Sequence, residues 1–343
     1  MYVAPRPLAE DDPLFPARVG VMSAAALIVA HFATPQMPPL AVALPVGLIL
    51  GLRGAFNPVR VIGMAVGVPA LAWGLSFLVA LTREIPWLMV LTAFTVFLLG
   101  IQIARQQGNP VGMIIALLMV IISSMGLQNR ALLDIVRDEL TYAGLVGGVL
   151  IVLAYALLPP RREDIHIDDP QTAEDSLLAG SVIRALVLTG ISFSLYATLP
   201  ASDMMLAMAA LFPVVFPTRG LMLAEARARM LATFLGVLAA LPVLAIYAEI
   251  PEVSLLAVMF CLTGIGFGWL MIHGARPVLV YQFAVTVMLG TVMTALTSQS
   301  AAQATIARIV LTLGGGIAAL AATALLEYAW MRLSRRLGTR SEA

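Results

Sequence analysis

Runs of about 20 apolar residues follow one another along nearly the whole chain, separated by short loops that carry arginine. A helix of that length rises about 30 Å, the thickness of a bilayer's hydrocarbon core. In lipid every backbone N–H and C=O has to be satisfied within the spanning structure, which leaves helices or a closed barrel. The alternation that marks a barrel strand is missing from the sequence. Charged residues are 11% of the chain and apolar residues 61%, whereas a soluble domain carries about 25% charge. The chain therefore reads as an all-α polytopic membrane protein.

Twelve transmembrane helices are predicted, near 16–33, 38–54, 60–82, 85–104, 110–128, 141–158, 178–199, 202–217, 228–249, 252–273, 277–297 and 306–332. They form a first six-helix repeat over 16–158 and a second over 178–332. An N-terminal tail (1–15), a polar linker (159–177) and a basic C-terminal tail (333–343) complete the chain. The proline-rich N-terminus carries acids as well as arginine and has no cleavage site after an apolar core, so it reads as a cytoplasmic tail. The stretch RALLDIVRDEL, Arg130 to Leu140, separates apolar from charged residues at helical spacing. It reads either as a short helix on the outer surface or as an ordinary connection.

The second half restates the first. LPVGLILGLRGAFNPVRVIGMAVG runs from Leu44 to Gly67, and FPVVFPTRGLMLAEARARMLATFLG from Phe212 to Gly236. Each passes a proline (Pro45, Pro213), crosses a basic loop and opens the next apolar run with an arginine seven residues before a glycine (60 to 67, 229 to 236). Arg18 matches Arg184 at an offset of 166, Pro86 matches Pro251 at 165, and Gly148 matches Gly315 at 167. Landmarks at one offset point to an internal duplication. Six spans per unit set both copies the same way up, as parallel repeats about an axis along the membrane normal.

The chain contains no lysine, so its 20 arginines alone set orientation. With the N-terminus inside, sixteen are cytoplasmic and only Arg83, Arg130, Arg137 and Arg308 fall outside. That positive-inside bias places both termini in the cytoplasm.

Arg60 and Arg229 open the third span of each half, and Arg227 stands just before the second of them. A planar, permanently charged guanidinium suits a carboxylate, so the pair is a candidate for drawing organic anions to an inner vestibule. The competing reading is a pair of arginines snorkelling to headgroups. Pro45 and Pro213 break their helices and are candidates for shaping a substrate path. Gly63 and Gly67, with Thr233 and Gly236 in the second copy, have the spacing of a helix-packing motif. Asp203, Glu225 and Glu327 are the carboxylates nearest the apolar runs and the candidates for proton coupling. The single cysteine, Cys261, excludes an internal disulfide. No metal-ligand spacing, nucleotide loop or catalytic constellation is present in the sequence, so no cofactor, metal, nucleic-acid partner or enzymatic activity is expected.

Six spans, a polar break, six more spans and a repeated element of proline, basic loop and Arg-x-x-Gly-Thr-x-x-Gly resemble the fusaric acid resistance/aromatic acid exporter superfamily. Arg60, Gly63 and Gly67 carry the resemblance in one half, and Arg229, Thr233 and Gly236 in the other. Met64 replaces the threonine of the first copy, and Ala232 the glycine of the second. The likeness is to a short branch without the soluble domain that full-length members hold between the halves. It implies proton-driven export of small hydrophobic or aromatic organic acids at the bacterial inner membrane, with a periplasmic adaptor of the membrane-fusion type as partner. Besides lipid and a small organic anion, a second copy of the chain is a partner to test for. Two alternatives stay open: a major-facilitator-like transporter of another substrate, and a non-transporting scaffold acting through the linker and basic tail.

Overall fold

A computed structural model describes residues 6–33, 39–51, 55–161, 172–173, 177–198, 211–297 and 301–338. Among them the regular elements are all helices: α1 (Phe15–Ala33), α2 (Pro39–Gly51), α3 (Pro58–Thr82), α4 (Pro86–Gln107), α5 (Pro110–Gln128), α6 (Arg130–Leu157) and α7 (Leu177–Thr198). A 3-10 turn (Phe212–Val215) follows, then α8 (Arg219–Glu249), α9 (Val253–His273), α10 (Val278–Thr297) and α11 (Ala301–Gly338). Ten of the described helices are long and apolar enough to cross a membrane.

Cap chemistry sets the boundaries. Asn57, Asn109 and Asn129 each accept a backbone N–H in the first turn of α3, α5 and α6, at 3.1, 3.0 and 2.8 Å. That satisfies donors a helix start leaves open. Pro58, Pro86 and Pro110 sit at the first helical position, where the missing N–H costs nothing. α4 ends at Gly108, whose φ of 60° suits only a residue without Cβ.

Three features differ from the sequence expectation. Residues 130–140 are neither a surface helix nor a loop but the first three turns of α6, continuous to Leu157. Asn129 caps them, and Leu133, Val136 and Leu140 are buried along one face. The charges close on one another: Arg137 pairs with Asp134 at 2.8 Å and Asp138 at 2.9 Å, and stacks over Trp73. α8 starts at Arg219 instead of 228, because Thr218 caps it and the charged stretch after it is rich in strong helix formers. The eighth span is described only from Leu211, where Pro213 lies in a 3-10 turn; the rest of it, with Asp203, lies outside the described residues.

Two cores form, and each draws on both sides of the polar segment. One joins α1 and α2 with α8, α9 and α10, through Val19, Met22, Val46, Phe260, Val285 and Met288. The other joins α7 and the 3-10 turn with α3, α4 and α5, through Val79, Phe97, Met119, Leu188 and Val214. The closest approaches are glycine-mediated. An added Cβ on Gly264 of α9 would fall 2.8 Å from the Gly20 Cα of α1. One on Gly148 of α6 would fall 2.5 Å from Ala65 of α3.

Candidate functional site

The described charges buried in this apolar body gather towards one end, where α1, α7 and α8 begin and α4, α6, α9 and α11 finish. Burying an ion without a partner is costly, so each demands a local explanation. Arg18 of α1 is 1% exposed; it pairs with Asp12, donates to the Leu158 carbonyl at 2.8 Å and lies 4.3 Å over the Tyr155 ring. Asp12 precedes the helix, and burial pushes its carboxyl above the ordinary 3.8 against the pull of the Arg18 charge. Arg105, at the end of α4, is fully buried against α7. A Cβ on Gly180 would stand 2.7 Å from its Cζ, so this glycine leaves the room that the guanidinium fills.

Glu327, near the end of α11, ties three helices. It lies 3.5 Å from the Arg184 guanidinium of α7 and accepts from Arg219 at the start of α8. Arg184 is fully buried, whereas the Arg219 side chain is 54% exposed.

About three turns further along α8, Arg229 donates through Nε to Glu225 Oε1 at 2.8 Å, an i,i+4 pair on one helix face. The Arg229 Cζ lies 4.4 Å from the Phe212 ring of the 3-10 turn and 4.2 Å from the Phe283 ring of α10. Cation–π contacts of this kind hold a guanidinium in place without neutralising it. Glu225 is 1% exposed, and Arg229 keeps 17%. The Glu225 Oε2 atom is buried and makes no hydrogen bond among the described residues. Carboxylate, guanidinium and two rings thus come from three elements and meet at one place.

The sequence-predicted residues divide accordingly. Arg229 and Glu225 are together, next to the turn that holds buried Pro213. Arg227 is exposed on α8. Arg60 is half-buried in the first turn of α3, with its backbone N–H on the Asn57 cap. Pro45 is buried inside α2. Thr233 is buried, and a Cβ on Gly236 would meet the Ala284 carbonyl at 2.6 Å, so the α8–α10 contact depends on that glycine. Gly63 and Gly67 do not pack so: among the described residues a Cβ on either meets nothing within 4 Å. The close approach of α3 to α6 is made instead by Ala65 and Pro69 against Gly148 and Gly144. Phe212 and Phe283 had no signal in the sequence beyond being aromatic. Arg184 had one, its register match to Arg18.

Residues 189–322 match the family model described as fusaric acid resistance protein-like. This agrees with the resemblance read from the repeated motif, and the matched region holds Phe212, Glu225, Arg229 and Phe283 together. Arg184 and Glu327 lie just outside it, and the first half of the chain lies wholly outside it. The fusaric acid resistance-like match associates the chain with membrane transport and resistance. No curated protein and no solved structure matches the chain.

Proposed function

We propose that the chain is a secondary transporter of the bacterial inner membrane that exports small hydrophobic or aromatic organic acids, with transport coupled to protons. Twelve spans in two parallel six-helix repeats, both termini cytoplasmic, complete the reading. The observation that carries it is the placement, within the fusaric acid resistance-like region, of a partly exposed arginine between two aromatic rings. A guanidinium recognises carboxylate and the rings receive an apolar body, which is the chemistry of an aromatic or hydrophobic acid. Arg60 and exposed Arg227 add positive potential around the inner mouth, which raises the local concentration of anions. Pro45 and Pro213 shape the path, and Glu225, Glu327 and Asp203 are the groups available to protons.

The test is growth of a deletion strain and its complemented parent across a panel of aromatic and aliphatic acids at two external pH values. Hypersensitivity to a subset of acids, restored by the gene and lost again in Arg60→Gln/Arg229→Gln, is the expected result. Unchanged sensitivity, with the protein present in the membrane, would overturn the export reading and favour the scaffold.

A further inference from the structure

The Glu225–Arg229 pair is more than a candidate anion site, because the guanidinium is already occupied. An incoming carboxylate meets an arginine whose Nε is bonded to a carboxylate of its own. Two carboxylates on one guanidinium repel each other, and away from water that repulsion is poorly screened, unlike at partly exposed Arg137 with its two aspartates. One has to leave or be neutralised.

We propose that a carboxylate ligand takes the place of Glu225 on the Arg229 guanidinium, between the Phe212 and Phe283 rings, and that Glu225 takes up one proton as it is displaced. The proposal deepens, and rests on, the transporter reading above. The exchange balances: one anion and one proton enter together, the Arg229–Glu225 contact breaks, and an Arg229–ligand contact forms. Among the described residues, the empty site holds one positive and one negative group, Arg229 and Glu225. The loaded site holds one positive group, one bound anion and a neutral Glu225, so its net charge is unchanged. A proton added to Glu225 has a place to sit, because Oε2 is buried without a hydrogen-bond partner among the described residues. The ligand has a way in, because Arg229 keeps its 17% exposure and both rings are only partly buried.

Other ionisable groups at this end lie on α8 itself and on the elements packed against it. α8 carries Arg219 and Arg227, and α11 brings Glu327, Tyr328 and Arg332. α9 brings Cys261 and His273, α10 brings Tyr281, and the 3-10 turn brings none. Arg219 is held by Glu327. Among the described residues Arg229 alone is bonded to the Glu225 carboxylate.

The carboxylate four residues before the arginine is not repeated in the first copy of the motif. Phe56 stands four residues before Arg60, where Glu225 stands four before Arg229, and its ring packs on Tyr155. Any proton moving opposite to the anion has to use another group; among the described residues Glu327, between Arg184 and Arg219, is a further buried carboxylate at this end.

The experiment is benzoate binding to the purified full chain in detergent, by calorimetry in buffers of different ionisation enthalpy, between about pH 6 and about pH 8. Linkage to one proton tightens binding about tenfold for each pH unit downwards, with one proton taken up per benzoate. Glu225→Gln should still bind benzoate but lose both the proton uptake and the pH slope. Arg229→Gln should lose binding. Phe283→Leu should lower the preference for benzoate over acetate about three- to tenfold. Parent-like elution and melting identify the variants that fold; if Arg229→Gln does not, the parent and Glu225→Gln profiles decide. Benzoate binding by the parent without proton uptake, or an unchanged pH slope in Glu225→Gln, overturns the exchange. Benzoate bound with a proton but never carried across a proteoliposome membrane would sink the transporter reading and leave the exchange site standing. Flux without proton uptake on binding would do the reverse.

Discussion

Glu327 holds two arginines of opposite circumstance, and that contrast sets the expectation for single substitutions. Arg184 is fully buried and Arg219 half exposed. Glu327→Ala removes a buried carboxylate from beside a buried guanidinium and should cost about 3–5 kcal/mol, read as a large fall in the thermal midpoint in detergent. Arg219→Ala leaves Glu327 with Arg184 and should cost about 0–1 kcal/mol. Equal losses in the two variants would refute the assignment. Asp12 makes a pH prediction. Its carboxyl is held above the ordinary 3.8, so the folded chain keeps this proton to a higher pH than the unfolded chain does. The folded state then binds more protons across that window, and the contribution to stability is largest at low pH and falls as pH rises through the raised value. Asp12→Asn should flatten this component as pH rises above the ordinary carboxylate value, measured as the change in midpoint relative to the parent. A parent that gains stability over that window relative to Asp12→Asn would show that Arg18, not burial, governs the carboxyl. Much of the site was legible at this scale: the i,i+4 spacing of Glu225 and Arg229 is in the sequence, as is the register of Arg18 with Arg184. Phe283 was not, because its contact with Arg229 joins residues 54 apart whose approach is decided by how α10 lies on α8.

At the scale of elements, the doubled motif has parted company with itself. Gly236 lies against the α10 backbone, whereas a Cβ on Gly63 or Gly67 would meet nothing within 4 Å among the described residues. Gly236→Leu should overpack the α8–α10 contact and cost about 1–3 kcal/mol or more, seen as lost monodispersity and a lowered midpoint. Gly63→Ala and Gly67→Ala should be neutral or raise stability by about 0.5–1 kcal/mol each, because alanine loses less backbone entropy in a helix. Destabilisation by either would show that something outside this chain packs there. Helix existence was well encoded in the apolar runs, since lipid leaves the backbone no alternative. Helix ends were less so. Hydropathy marks where a segment leaves lipid, whereas the asparagine and threonine caps decide where the helix stops, and α6 and α8 continue well into their charged flanks.

For the whole molecule, the feature that no periodicity could reveal is the exchange of arms across the polar segment: α1 lies on α9 and α7 on α4. Sequence similarity between halves says that two units exist, not which surfaces they present to each other. Two halves expressed separately, cut within 162–171, should each fail to give a stable membrane protein, because each would lack part of both cores. Co-expressed, they should associate and co-purify. A half that is monodisperse alone would contradict the exchanged packing. The same arrangement bears on how the protein comes to exist. Gly20 finds its seat against Gly264, and at about 5–20 residues per second the ribosome needs on the order of 10–50 seconds to make the intervening chain. Through that interval the first helix is a newborn segment with lipid for company, its glycine notch unfilled, waiting for a partner that does not yet exist.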